Sequence, residues 1–252
     1  MALDGLSLFL LEAGTGTALL LLFFPVGTLG KGFFSLHGAL AAAFLGGALA
    51  ARPAGYPAAA GAASFLLLAC YTGLAMAGRA SLGRPLLLLG AACAAWALSA
   101  VALQAPRPHG DLWTVVSAFL GGLFLGAVLL TMNLGHWYLV SRSLPFTLLA
   151  RGALLFAGLA ILRTLLLAGA VAAGADSAGL ASLLSLERDG LFFLFRVAWG
   201  IAGPLALSWF IWKTADMRSN QAATGLLYVA MVFVLIGELL SSYLTVATGF
   251  PA

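Results

Sequence analysis

Four ionisable residues stand well inside long apolar runs: Glu12, Arg163, Arg196 and Glu238. A charge near the centre of a membrane helix costs about 2.5–3.5 kcal/mol on insertion scales, so each needs a partner or a purpose. Two acids and two bases at similar depth can neutralise one another. One reading is a buried charge network that fixes helix packing, because breaking it strands an unpaired charge. The other is a proton pathway, or a polar pocket for a quinone head, built from the same residue types. Helical spacing gives each acid small or polar neighbours. Glu12 shares a face with Thr15 and Gly16, and Glu238 shares one with Ser241, Ser242 and Thr245.

A second set consists of His37, Asn133 and His136, with Asn133 and His136 one helical turn apart on the same side. A histidine can donate to a quinone carbonyl, accept a proton from a quinol, or ligate haem iron. His37 and His136 are the only histidines in apolar runs, so at most one bis-histidine haem b is compatible with the sequence. It would require the two segments to face each other. A plainer role for His136 is an interfacial belt with Trp137 and Tyr138. Quinone thus stays one candidate ligand beside the packing role, and no bound haem or metal is expected. Cys70 and Cys93 lack the clustered spacing of a zinc or iron–sulfur site and read as packing residues. No glycine-rich phosphate loop, HExxH or nucleophile elbow occurs. Lys213, beside Thr214, Asp216 and Arg218, suits a solvated loop better than a buried Schiff base.

The elements that must position these groups follow from composition. The chain has 252 residues, 63% hydrophobic and 8% charged, with a mean hydropathy of +1.09. Soluble domains carry about 25% charged residues, so there is too little charge here to cover a water-facing surface. One span needs about 20 apolar residues. Eight such segments can be read, about 8–29, 33–50, 57–77, 85–103, 113–140, 146–173, 191–212 and 224–249. The expectation is an all-α polytopic bundle of about eight transmembrane helices forming one domain over 1–252. A β-barrel is excluded, since no strand-like alternation occurs. The N-terminus lacks a basic stretch ahead of its long apolar run and reads as the first span rather than a signal.

Lysine and arginine are distributed unevenly. Loops after segments one, three, five and seven carry Lys31; Arg79 and Arg84; Arg142; and Lys213 and Arg218, with Arg151 on the same side. The other side carries Arg52, Arg107 and Arg188 among several acids. This asymmetry predicts odd loops in the cytoplasm and both termini outside. It also accounts for the net charge of +4 without a nucleic-acid partner, because no basic cluster exists. Residues 178–186 of the longest connection read as a short helix on the membrane surface, and Pro57 as the opening of the third span. Gly122 and Gly126, Gly14 and Gly16, and Gly200 and Gly203 mark faces where helices can approach closely.

Two segments carry a family likeness. Leu194-Phe195-Arg196-Val197-Ala198 and Leu235-Ile236-Gly237-Glu238-Leu239-Leu240 resemble the arginine-initiated helix and Gly-Glu-Leu segment of membrane anchor subunits of the dimethyl-sulfoxide-reductase type. Those subunits are eight-helix quinol-oxidising proteins with periplasmic termini. The resemblance implies a bacterial inner-membrane location, quinone as substrate, and redox partner subunits. It carries over only Arg196 and Glu238, because the family's His-Leu-Gly string has no counterpart around His37. The leading expectation is a quinone-interacting anchor subunit of a respiratory oxidoreductase. The alternatives are a small transporter or proton-conducting channel, and a purely structural membrane subunit.

Overall fold

A computed structural model describes residues 2–51, 55–104, 111–140, 144–145, 147–173, 178–185 and 187–251. Among them there are helices, turns and no strand. Eight helices are long and apolar enough to cross a membrane. They are α1 (Ala2–Leu21), α2 (Val26–Ala51), α3 (Ala58–Met76), α4 (Arg84–Ala102), α5 (Asp111–Val140), α6 (Thr147–Ala173), α8 (Arg188–Asp216) and α9 (Asn220–Thr248). Between α6 and α8 lies the short α7 (Ala178–Leu183), which packs on α8 and α9 through the buried Leu180 and Leu183. A short helix is thus present within the expected 178–186 segment, packed against the bundle; Leu186 lies outside the described residues.

Local chemistry sets the helix ends. Pro25 separates α1 from α2, and Gly30 interrupts the first turns of α2 at φ 72°, a left-handed conformation that glycine tolerates. The regular part of that span thus begins close to the expected Phe33. Pro57 opens α3, its carbonyl accepting from Gly61 N–H, and Pro85 stands in the first turn of α4. Gly249, at φ 73°, closes α9 by donating to Thr245 O.

The most enclosed helices are α1 and α5. Around α1 pack α2, α4, α5 and α9, while α6 and α9 also pack on α5. Where α1 meets α5 the backbones nearly touch: a Cβ on Gly16 would overlap Gly122 O, and one on Gly126 would fall 2.6 Å from Gly16 O. The GxxxG of the fifth span is thus spent on α1. In lipid such close packing replaces the hydrophobic drive between helices. The outer surface carries many large apolar side chains, with Leu88, Trp96, Ile161, Leu165, Trp209 and Phe210 all exposed. Such a belt suits lipid, and with eight helices able to cross a membrane the chain is a multi-pass membrane protein.

Eight antiparallel spans bring both termini to one end and the α8–α9 turn at Arg218 to the other. At that other end, the described cations Lys31, Arg79, Arg84, Arg151, Lys213 and Arg218 face one acid, Asp216. Arg52, Arg107 and Arg142, which also entered the charge count, lie outside the described residues. A reporter fused after Ala252 is expected to read external and one inserted at Arg218 cytoplasmic. The reverse pattern would invert the orientation.

Candidate functional site

The four intramembrane charges, drawn from α1, α6, α8 and α9, meet in one buried cluster. Glu238, on α9, is its hub and is 0% exposed. Arg163, on α6, grips it with a fork, Nε to Oε1 at 3.2 Å and Nη2 to Oε2 at 2.9 Å. The remaining Arg163 donors go to Ser117 Oγ at 2.6 Å, Ser117 O at 3.3 Å and Ser241 Oγ at 2.8 Å. Five donors thus meet five acceptor contacts, the condition under which a guanidinium can be buried.

Arg196 approaches Glu238 from α8, Nη2 to Oε1 at 2.9 Å, without the alignment of a hydrogen bond. Its Nη1 donates to Gly200 O at 3.2 Å, and its Nε has no hydrogen-bond partner among the described residues. The local backbone accounts for this posture. Arg196–Ala202 is a π-helical segment, and Pro204 follows it. Proline has no N–H to give the carbonyl four residues back, which is Gly200 O, and Arg196 serves that carbonyl instead. The bulge also presses Gly200 onto Gly237, where an added Cβ would overlap Gly200 Cα. That contact brings Arg196 within reach of Glu238, one residue further along α9. Single-turn π-bulges of this kind concentrate at functional sites.

Glu12, on α1, stands apart from the guanidinium pairing. Its Oε2 is 3.0 Å from Ser242 Oγ, and Ser242 Oγ is also 2.9 Å from Glu238 O. A hydroxyl has one proton to give. If Ser242 gives it to Glu12, the acid is held as a carboxylate. If Ser242 gives it to Glu238 O, a protonated Glu12 can donate to the hydroxyl oxygen. The same heavy-atom geometry accommodates both forms. Both acids converge over Gly121 of α5, where a Cβ would fall 2.8 Å from Glu238 Oε2 and 3.4 Å from Glu12 Oε2. One turn on from Glu12, the buried Thr15 hydroxyl has no hydrogen-bond partner among the described residues.

The second set divides. His37 is fully buried on α2; its Nδ1 is 2.7 Å from Phe33 O and its Nε2 3.0 Å from Asn133 Nδ2 on α5. A carbonyl only accepts, so Nδ1 carries the proton and Nε2 accepts from the amide. His136, expected on the same side as Asn133, is exposed instead and lies 3.4 Å from Tyr228 of α9. The reason is angular: three residues fall about 60° short of a full turn at 3.6 residues per turn, and that offset takes the ring from the α2 contact to the rim beside α9. Trp137 packs edge-on to Phe33, and the Tyr138 hydroxyl donates to Pro145 O. The pair of histidines thus does not present two open nitrogens to a common centre. A reduced-minus-oxidised spectrum of the purified chain is expected to lack a b-type α-band; a band lost in both His37→Ala and His136→Ala would overturn this. Asn133→Leu, which leaves His37 Nε2 without its donor, is expected to destabilise by about 1–3 kcal/mol in thermal unfolding.

Sequence reading missed Ser117, Gly121 and Tyr228. Ser117 and Gly121 sit four residues apart on one face of α5, a stripe of small residues that signals a crowded face without saying what fills it. Cys70, exposed on α3, and Cys93, half-buried on α4, are both free. Among the described residues no three His, Cys, Asp or Glu side chains gather as a metal-ligand set. The chain matches no model of a known protein family, no characterised protein and no solved structure.

Proposed function

We propose that this chain is a proton-handling membrane subunit, and that it serves as the quinone-interacting anchor of a respiratory oxidoreductase in a bacterial inner membrane. The observation that carries the reading is the division of labour between the two acids. Glu238 takes both guanidinium groups, whereas Glu12 is held by a serine hydroxyl that suits either of its protonation states. Two arginines and two glutamates make the cluster neutral when both acids are ionised and +1 when Glu12 carries a proton. A site that changes by one charge while its frame stays fixed by Arg163 and Arg196 is what proton exchange requires. Glu12 is the exchanging group, Ser242 relays or anchors the proton, and Glu238 with its arginines keeps the pocket assembled.

Quinol oxidation releases protons with its electrons, so a proton site within the hydrocarbon suits quinone chemistry. The resemblance of the Arg196 and Glu238 segments to anchor subunits supports the same setting. Electrons would then pass to redox subunits of a partner chain. Purification from native membranes tests the reading. Redox subunits are expected to accompany the chain, and quinol-linked turnover is expected in the complex. A chain that purifies alone and moves protons across vesicles without any redox partner would replace the anchor reading with a transporter.

A further inference from the structure

Away from the charge cluster, at the end of the bundle where the cations gather, a groove of about 310 Å³ opens between the α1–α2 turn and the first turns of α6. One wall is Phe23, Phe24 and Pro25; the other is Leu148, Arg151 and Leu155. Phe23 is 82% exposed, and Leu155 is exposed as well. Arg151 is the one charged group in the lining. It is exposed and has neither a hydrogen bond nor an ion pair among the described residues. It also stands near the N-terminal end of α6, where the helix macrodipole is itself positive. Outside the lining, Arg84 Nη2 donates to Leu22 O at 2.9 Å, one residue before Phe23. The Arg151 guanidinium thus stands in the wall of an apolar groove, with no carboxylate in that lining to offset it.

We propose that this groove is a binding site for an anionic phospholipid, with the phosphodiester at Arg151 and an acyl chain along Phe23 and Leu155. The match is of charge at one end and of apolar surface at the other. Arginine meets phosphate oxygens through paired N–H donors, and basic pockets between helices at the cytoplasmic boundary are where anionic head groups dock. The groove is at the edge of the lipid-facing belt, so an acyl chain enters it without leaving the hydrocarbon.

Native mass spectrometry of the purified full chain tests this with phosphatidylglycerol and phosphatidylcholine of identical acyl chains. Phosphatidylglycerol is expected to be retained preferentially, and Arg151→Gln is expected to weaken its retention about tenfold. Arg79→Gln removes the same charge from the same end, on the α3–α4 turn, and is expected to leave retention unchanged. Phe23→Ala, at an exposed position, is expected to weaken both lipids alike. Equal binding of the two lipids, or equal losses in Arg151→Gln and Arg79→Gln, would overturn the site in favour of diffuse attraction. Displacement of phosphatidylglycerol by millimolar inorganic phosphate, or a quinone retained in its place, would overturn the phospholipid assignment.

Discussion

Glu238→Gln is expected to cost about 3–5 kcal/mol of stability, the range for breaking a buried ion pair by removing one partner. The substitution keeps side-chain volume, yet it leaves Arg163 and Arg196 facing each other in the hydrocarbon with no carboxylate between them. Glu12 makes no ion pair with either guanidinium among the described residues, its carboxyl being hydrogen-bonded to Ser242 on α9. Lower recovery of folded protein from membranes and a lower unfolding temperature in detergent are the readouts. Combining Glu238→Gln with Arg196→Met removes one of the stranded cations. The pair should recover part of the loss, with a coupling on the order of 1–3 kcal/mol. Recovery would be incomplete, since Gly200 O then loses its donor beside Pro204. Unchanged stability in the single variant would show that the guanidinium groups do not depend on Glu238.

Glu12→Gln is expected to do the opposite, preserving the fold and removing the activity. The substituted side chain retains an oxygen to accept from Ser242 and gains an amide to donate to it, so the contact with α9 survives in either arrangement. The stability change should stay within about 1 kcal/mol. What is lost is the group that gains and releases a proton, and the cluster is then fixed at one charge. Quinol-linked turnover per assembled complex is expected to fall by about 10²-fold or more, the scale of losing a positioned acid–base group. Glu12→Asp, which keeps the titrating group one methylene shorter, should recover part of that rate. Full turnover in an assembled Glu12→Gln complex would defeat the proton-handling reading. A loss of assembly equal to that of Glu238→Gln would show that both acids hold the bundle together.

These two expectations differ only because the helices have been assembled. Along the chain, Glu12 and Glu238 look alike: each is a lone carboxyl in an apolar run with small and hydroxyl neighbours on its face. The spans are legible along the chain alone, because a hydrocarbon slab imposes a length and an apolarity that each segment meets or fails on its own. So are the residues that need explaining, since the cost of a buried charge belongs to the residue and its depth. The faces of Glu238, Ser241 and Ser242 were legible from helical period, and so was the close face at Gly122 and Gly126. Partnership was not legible. Arg163 takes Ser117 from α5 and Ser241 from α9, and Arg196 turns on a π segment to reach Glu238. Asn133 meets His37 while His136 turns to Tyr228. Each of these pairings depends on which helices are neighbours and how each is rotated. In lipid that choice is made by backbone contacts such as Gly16 on Gly122 and Gly200 on Gly237, where a single added methyl would move a helix. Every apolar face is equally content against lipid tails, so the periodicity of one segment carries no record of the segment that covers it.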